Sequence, residues 1–442
     1  MPQPRRSARV AAAGGTLTLA TALLLGACSS TSTTSSSTTA APGTTAKATG
    51  TTTGDTAGDT TGTTGGTTKG STVGTAVLSP GKEITAADKQ AVVDTYAEGV
   101  YRSYDASVQS ATKLQEDIEA FTAKPTEAGL ETVRTQWLAA RDDYGPTEAF
   151  RFYDGPIDDP DEGPEGQINA WPMDEAYVDY VEGDPTAGVI NDPAGYPSIT
   201  KEVLVEANEK GGETNISTGW HAIEFLVWGQ DLSETGPGAR PVTDYTTAAN
   251  ATRRAEYLNL LVGLLVDDLT GVRDEWTPDQ NDNFRASFVK DPDAALADIF
   301  RGIGALDKGE LAGERMSVAY ETKDQEDEHS CFSDNTNNDV RNNDRGIQMV
   351  YLASFPGTSG PSPSDLVAKV DPALDTKLQG ELEASVKMAS SFPTTFDQMI
   401  KGDDSAAGRK ALDATIKAIE AQGDTLAEAA KAIGLDVNFE ID

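Results

Sequence analysis

Histidine and cysteine are almost missing from this chain of 442 residues, which has two of each. The histidines are His221 and His329, and the cysteines are Cys28 and Cys331. So few imidazoles exclude several common chemistries. The zinc-protease helix His-Glu-x-x-His does not occur, and the inverted form His-x-x-Glu-His fails because Phe225 follows Glu224. A catalytic zinc with three protein ligands would need His221, His329 and a carboxylate from distant segments. A serine or cysteine triad would have to take one of the same two histidines as its base, and Cys331 beside His329 has no recognised local signature. Positive charge is scarce as well: 35 basic side chains face 71 acidic ones, for a formal net charge of −36. That excludes nucleic acid as a partner, because its binding needs a basic footprint. It also excludes charge-driven docking on anionic lipid, and it suits a soluble acidic body or one that handles cations. No alternating strand pattern of useful length occurs, so the reading is all-α.

The first 28 residues read as an export signal. Arg5, Arg6 and Arg9 form a positive region, and Val10 to Leu25 is mostly apolar but too short for a convincing membrane span. The segment ends Leu25-Gly26-Ala27-Cys28, which resembles the bacterial lipobox. That resemblance implies lipidation of Cys28 and a lipid-anchored protein exported to the cell envelope, on the periplasmic or extracellular face of a membrane. With Cys28 so used, Cys331 has no partner for an intrachain disulfide. Residues 29–79 are Thr, Ser, Gly and Ala with hardly a large apolar side chain. Such a segment cannot bury enough surface to offset the entropy of ordering. It reads as a disordered tether spanning on the order of 40 Å.

Helical periodicity begins at about Ile84. Val93, Tyr96, Val100, Tyr104, Val108, Leu114, Ile118 and Phe121 recur every three or four residues after a capping Thr85. A second helix follows Pro125 and runs to about Tyr144. Residues 145–200 break the rhythm with eight prolines, yet Phe150, Phe152, Tyr153, Trp171 and Tyr177 predict a packed segment rather than a free one. Short helices, such as one around Asp174–Val181, suit it. Beyond residue 240, helices are expected through Tyr257–Trp276, from Asp291, from about Glu310, over Pro372–Ser391 and over Ser405–Ile433. The stretch Glu321–Asp344 reads as polar connection, and Val437–Ile441 as a short extended tail. The expected architecture is two helical-bundle-like domains, 80–240 and 241–442.

Three segments concentrate unusual residues: Tyr144–Pro156, Gly219–Asp231 and Glu321–Asn335. In the second, His221 and Glu224 stand three apart in the apolar run Trp220 to Trp228, so on a helix they share a face. A buried polar pair of this kind must be hydrogen-bonded, paired or metal-bound. Imidazole with carboxylate suits zinc, iron or manganese. The plain alternative is a hydrogen-bonded His–Glu pair that stitches helices together. Because one helix supplies a single histidine, any metal must recruit ligands from 144–156 or 321–335.

These segments resemble the imelysin family. Its hallmark Gly-x-His-x-x-Glu stands here as Gly219, His221 and Glu224. The likeness extends to Thr147–Asp158, Ile168–Pro172, Val227–Asp231 and Glu321–Ser330, and covers roughly residues 80–442. The resemblance implies an all-helical body of two bundle-like domains and an iron-regulated, exported protein linked to iron or haem acquisition. It also implies a hallmark pair acting as metal ligands, and a family first described as metallopeptidases. The metal set read here is His221 and Glu224, extended by hypothesis to Glu148, Asp327 and His329. The ligand expected is a divalent metal or iron, with zinc as an alternative, either as the ion or as an iron complex. Iron-transport membrane proteins are the partners the resemblance implies. Two other readings stay open: an imelysin-type metallopeptidase, and a non-catalytic binding or scaffold module.

Overall fold

The structure is a computed structural model that describes residues 83–440. The signal, tether and lipidation readings at residues 1–79, Cys28 included, lie outside the described residues. Among the described residues there is no strand, only one isolated bridge between Val181 and Asp184. No described helix is long and apolar enough to cross a membrane.

The frame is set by three long helices. Ala86–Ala123 opens with a capping box in which Thr85 and Asp88 satisfy each other's backbone N–H groups. It packs along both Glu127–Tyr144 and Ala251–Glu275, so helix contacts run across residue 240. The apolar stripe read from the sequence is the buried face, from Val93 to Phe121. On the C-terminal side, Pro372–Ala389 and Ala407–Ala432 pack against each other.

The proline-rich stretch is packed, and ion pairs hold it. Asp179 receives the guanidinium groups of Arg240 at 2.7 Å and Arg254 at 2.6 Å, all three side chains being fully buried. Arg253 bonds the carbonyls of Val189, Ile190 and Tyr196. The segment contains three short α-helices, one of them Glu175–Val178, and a fourth, Lys201–Ala207, follows it directly.

Two expectations need correcting. The helix expected from Glu310 is not a separate one. Pro292–Ala305 continues without a break into a π-helix, Leu306–Ser317, and then into Val318–Thr322. Asp307 and Arg315 in this π segment are both buried. The second correction is larger. The stretch Glu321–Asp344, read as polar connection, contains most of a 17-residue helix, Thr336–Leu352. It is a central one. Thr336, Asp339, Asn342, Asn343 and Asp344 are all buried, and they bond the Ser330 backbone, Arg141, Asp142, Arg315 and Gln422 respectively. This helix lies on the turn Gly145–Phe150, and its Gly346 is what permits the approach. A Cβ there would stand 2.5 Å from the Pro146 carbonyl oxygen.

Candidate metal centre

The hallmark helix is Gly219–Trp228, and every residue of it is buried. Burying six large apolar side chains at about 1.5–3 kcal/mol each fixes it rigidly. Its start explains the hallmark glycine. Gly219 has φ +83°, and a Cβ there would sit 2.5 Å from the Ile168 carbonyl oxygen. Only glycine fits without strain.

His221 and Glu224 share a face as expected, with Nδ1 and Oε2 2.9 Å apart. The other Glu224 oxygen accepts from the Ser333 backbone N–H at 2.9 Å and its hydroxyl at 2.7 Å. Ser333 thus ties the second unusual segment to the third. The two histidines then meet: their ring centroids are 4.7 Å apart at 78°. His329 Nδ1 lies 2.9 Å from Asp339 Oδ2. Trp171 packs against His221 at 5.0 Å.

Electrostatics set the protonation of this pair. Burial first, then the positive charge of its surroundings, holds His221 well below the usual imidazole range. Burial and Arg315 push His329 down to about 4, against the opposing pull of Asp339. Both rings are therefore neutral near pH 7. Burial alone would raise Asp339, but Arg141, then His329 and Ser330, hold it well below the carboxylate range. An ionised Asp339 can only accept, so His329 Nδ1 carries the proton and its Nε2 keeps a bare lone pair. Burial pushes Glu224 up to about 8, in spite of the Ser333 bonds. The Nε2 atoms of both histidines are buried and without a partner. Trp220 Nε1 and several arginine Nε atoms are unpartnered too, but only the two imidazole nitrogens belong to rings in contact with each other.

The remaining residues of the expected set are placed differently. Glu148, in the turn Gly145–Phe150, is fully engaged: Arg151 reaches it at 2.8 Å and Arg315 at 2.7 Å. Against the raising effect of burial, these two arginines hold its carboxyl far below the ordinary range. It is joined to the histidines only through others, with Asn169 bridging Glu148 and Arg141 and Arg141 bonding Asp339 at 3.1 Å. Asp327 accepts from the Thr322 hydroxyl at 2.6 Å and lines the same cleft as His329. That cleft, of about 600 Å³, is walled by Arg151, Trp171 and Arg315, with several carboxylates around it. Among the described residues no three His, Cys, Asp or Glu side chains are grouped to hold a metal ion.

Sequence reasoning did not pick out Asp339, Arg141 or Arg315. Arg141 is enclosed by the rings of Trp137, Tyr144 and Trp220 at 5.3–5.7 Å and is almost fully buried. A signal for Asp339 existed. Val340, Ile347 and Tyr351 recur at helical spacing through the Asn- and Asp-rich stretch, which marks a helix whose polar residues require an interior use.

The imelysin family model matches residues 100–426. The chain belongs to the imelysin family. Iron-regulated protein A of Synechococcus elongatus is 26% identical over 329 residues, covering 74% of this chain and 81% of that one. Two solved imelysin-type structures share the fold. An iron-regulated protein A precursor from Parabacteroides distasonis superposes with TM-score 0.61 at 16% identity, over 79% of this chain and 96% of that one. An imelysin-like protein from Psychrobacter arcticum gives 0.58 at 13%, over 81% and 99%. Within the imelysin match fall both histidines and all three unusual segments.

Proposed function

We propose that this imelysin is a lipid-anchored cell-envelope protein that binds a metal ion or iron complex for uptake through iron-transport membrane proteins. One observation carries the reading. Two neutral imidazoles touch in the interior and each leaves Nε2 unpaired. His329 has its Nδ1 on the ionised Asp339. His221 has its Nδ1 on Glu224, whose carboxyl is largely protonated near pH 7 and would pass its proton to Nδ1 as a metal displaces the one on Nε2. Metal-ligating histidines almost always have that arrangement, because the carboxylate fixes the tautomer and raises the basicity of the other nitrogen. Two imidazole donors suit iron, zinc or another first-row metal. The name of the Synechococcus relative supports iron among these. The donor set fits a cargo site better than a catalytic one. The protein offers two nitrogens, and the remaining positions belong to water or to whatever accompanies the ion. A peptidase zinc would need three protein ligands and a free general base, whereas Glu224 is held by His221 and Ser333.

Calorimetry of chelator-free protein with Zn²⁺ and Fe²⁺ tests the proposal, with Trp171 fluorescence as a second readout because that indole packs 5.0 Å from the His221 ring. One ion per chain is expected, together with a change in emission. His221→Ala and His329→Gln should each remove binding while the far-UV spectrum is retained. Stoichiometric binding that survives both substitutions would refute the site.

A further inference from the structure

The cleft in front of His329 is strongly one-signed. Six carboxylates line it, from Glu165, Glu209, Glu213, Glu310, Glu314 and Asp327, against the two guanidinium groups of Arg151 and Arg315. The two arginines are not free. Arg151 is paired with Glu148 and Glu165, and Arg315 with Glu148 and Glu310. Glu209, Glu213, Glu314 and Asp327 make no ion pair among the described residues, and Asp327 is held only by the Thr322 hydroxyl. An acidic rim alone would mean little on a chain of net charge −36. What gives this one a direction is the inner wall, where His329 is only 3% exposed and its Nε2 lone pair is buried without a partner.

We infer that the cleft is the entry path of the site and selects a positively charged, hydrated metal cation over an anionic metal chelate. This inference rests on the metal-binding reading above and names the form in which the metal arrives. The four unpaired carboxylates attract a dication and repel a polycarboxylate complex of the same metal. A concave acidic wall focuses that field, which typically changes association rates by about 10- to 1000-fold at low ionic strength. The ion then exchanges water for imidazole nitrogen at the inner wall. Glu209, Glu213, Glu314 and Asp327 are specificity-determining residues in this scheme, and none of them is a ligand.

The test is stopped-flow association of the full chain with aquo Zn²⁺ and with citrate-chelated Fe³⁺, at low and at physiological salt. Three proteins are compared: the native chain, the variant E209Q/E213Q/E314Q/D327N, and the charge-matched control E119Q/E131Q/E383Q/E428Q, whose glutamates are exposed and lie outside the cleft. The expected result is at least tenfold slower Zn²⁺ association in the cleft variant at low salt, with a flatter salt dependence. The control should stay within twofold of native, and the citrate complex should associate faster with the cleft variant than with the native chain. Equal Zn²⁺ rates for native and cleft variant, with binding still dependent on His221 and His329, would overturn this inference and leave the metal site standing. Equal losses in the cleft variant and the control would assign the effect to net charge and overturn it as well. An absence of Zn²⁺ binding in the native chain would overturn both.

Discussion

Asp339 connects most of the buried polar groups around the histidines, so replacing it with asparagine is the sharpest stability test. The carboxylate takes Arg141 at 3.1 Å, His329 at 2.9 Å, Asn335 at 3.3 Å and the Ser330 hydroxyl. Asparagine keeps the shape but removes the charge and replaces one acceptor oxygen with a donor. Arg141, with its side chain 2% exposed, is then left charged in the interior. Removing one partner of a buried ion pair usually costs about 3–5 kcal/mol. Arg141 keeps its bond to Asn169 at 2.6 Å and its three aromatic neighbours, so the lower end, about 3 kcal/mol, is expected. Urea unfolding followed by near-UV circular dichroism measures it. The exposed pair Lys210–Glu206 serves as control and should be worth about 0.3–0.5 kcal/mol. Because the fold depresses the Asp339 pKa, its contribution is fully present above the unfolded value of 3.8. It is lost as pH falls below that value towards the lower folded one, so the native–variant gap should persist to about pH 4 and shrink below. Arg141→Met with Asp339→Leu should recover most of the loss. A cost under 1 kcal/mol, or strict additivity in the double variant, would refute the claim that this ion pair anchors the site.

Other outcomes follow from single features. Gly219→Ala puts a Cβ 2.5 Å from the Ile168 carbonyl at φ +83°, so a loss of about 1–3 kcal/mol is expected in thermal unfolding, and an unchanged melting temperature would contradict it. Burial raises the Asp344 carboxyl to about 7 although Gln422 donates to it, so the folded state holds a proton that the unfolded state releases. Stability should therefore fall by about 1 kcal/mol from this group as pH rises from 6.5 to 8, and Asp344→Asn should flatten that slope. Glu175, raised to about 7, and Glu224, raised to about 8, act in the same direction, while His329 adds nothing above its unfolded 6.5. Asp339→Asn should also weaken metal binding about 10- to 100-fold through His329, and unaltered calorimetry would detach Asp339 from the site.

The sequence by itself determined the all-helical class, most of the long helices and the one face on which His221 meets Glu224. These are local matters: apolar spacing of three to four residues, capping Thr85 and Asp291, and prolines at helix starts. Tertiary structure decided the rest. It brought His329 from 108 residues away in sequence to within 4.7 Å of His221. It closed Glu148 into an arginine clamp that takes up its charge, and it turned an apparently polar connector into the buried helix carrying Asp339. Periodicity reports burial only when buried means apolar. Around this site the interior is polar, with charges such as Arg141 and Asp339, or Glu148 and Arg315, paired across distant segments, so the pattern carries no sign of it until the segments are folded together.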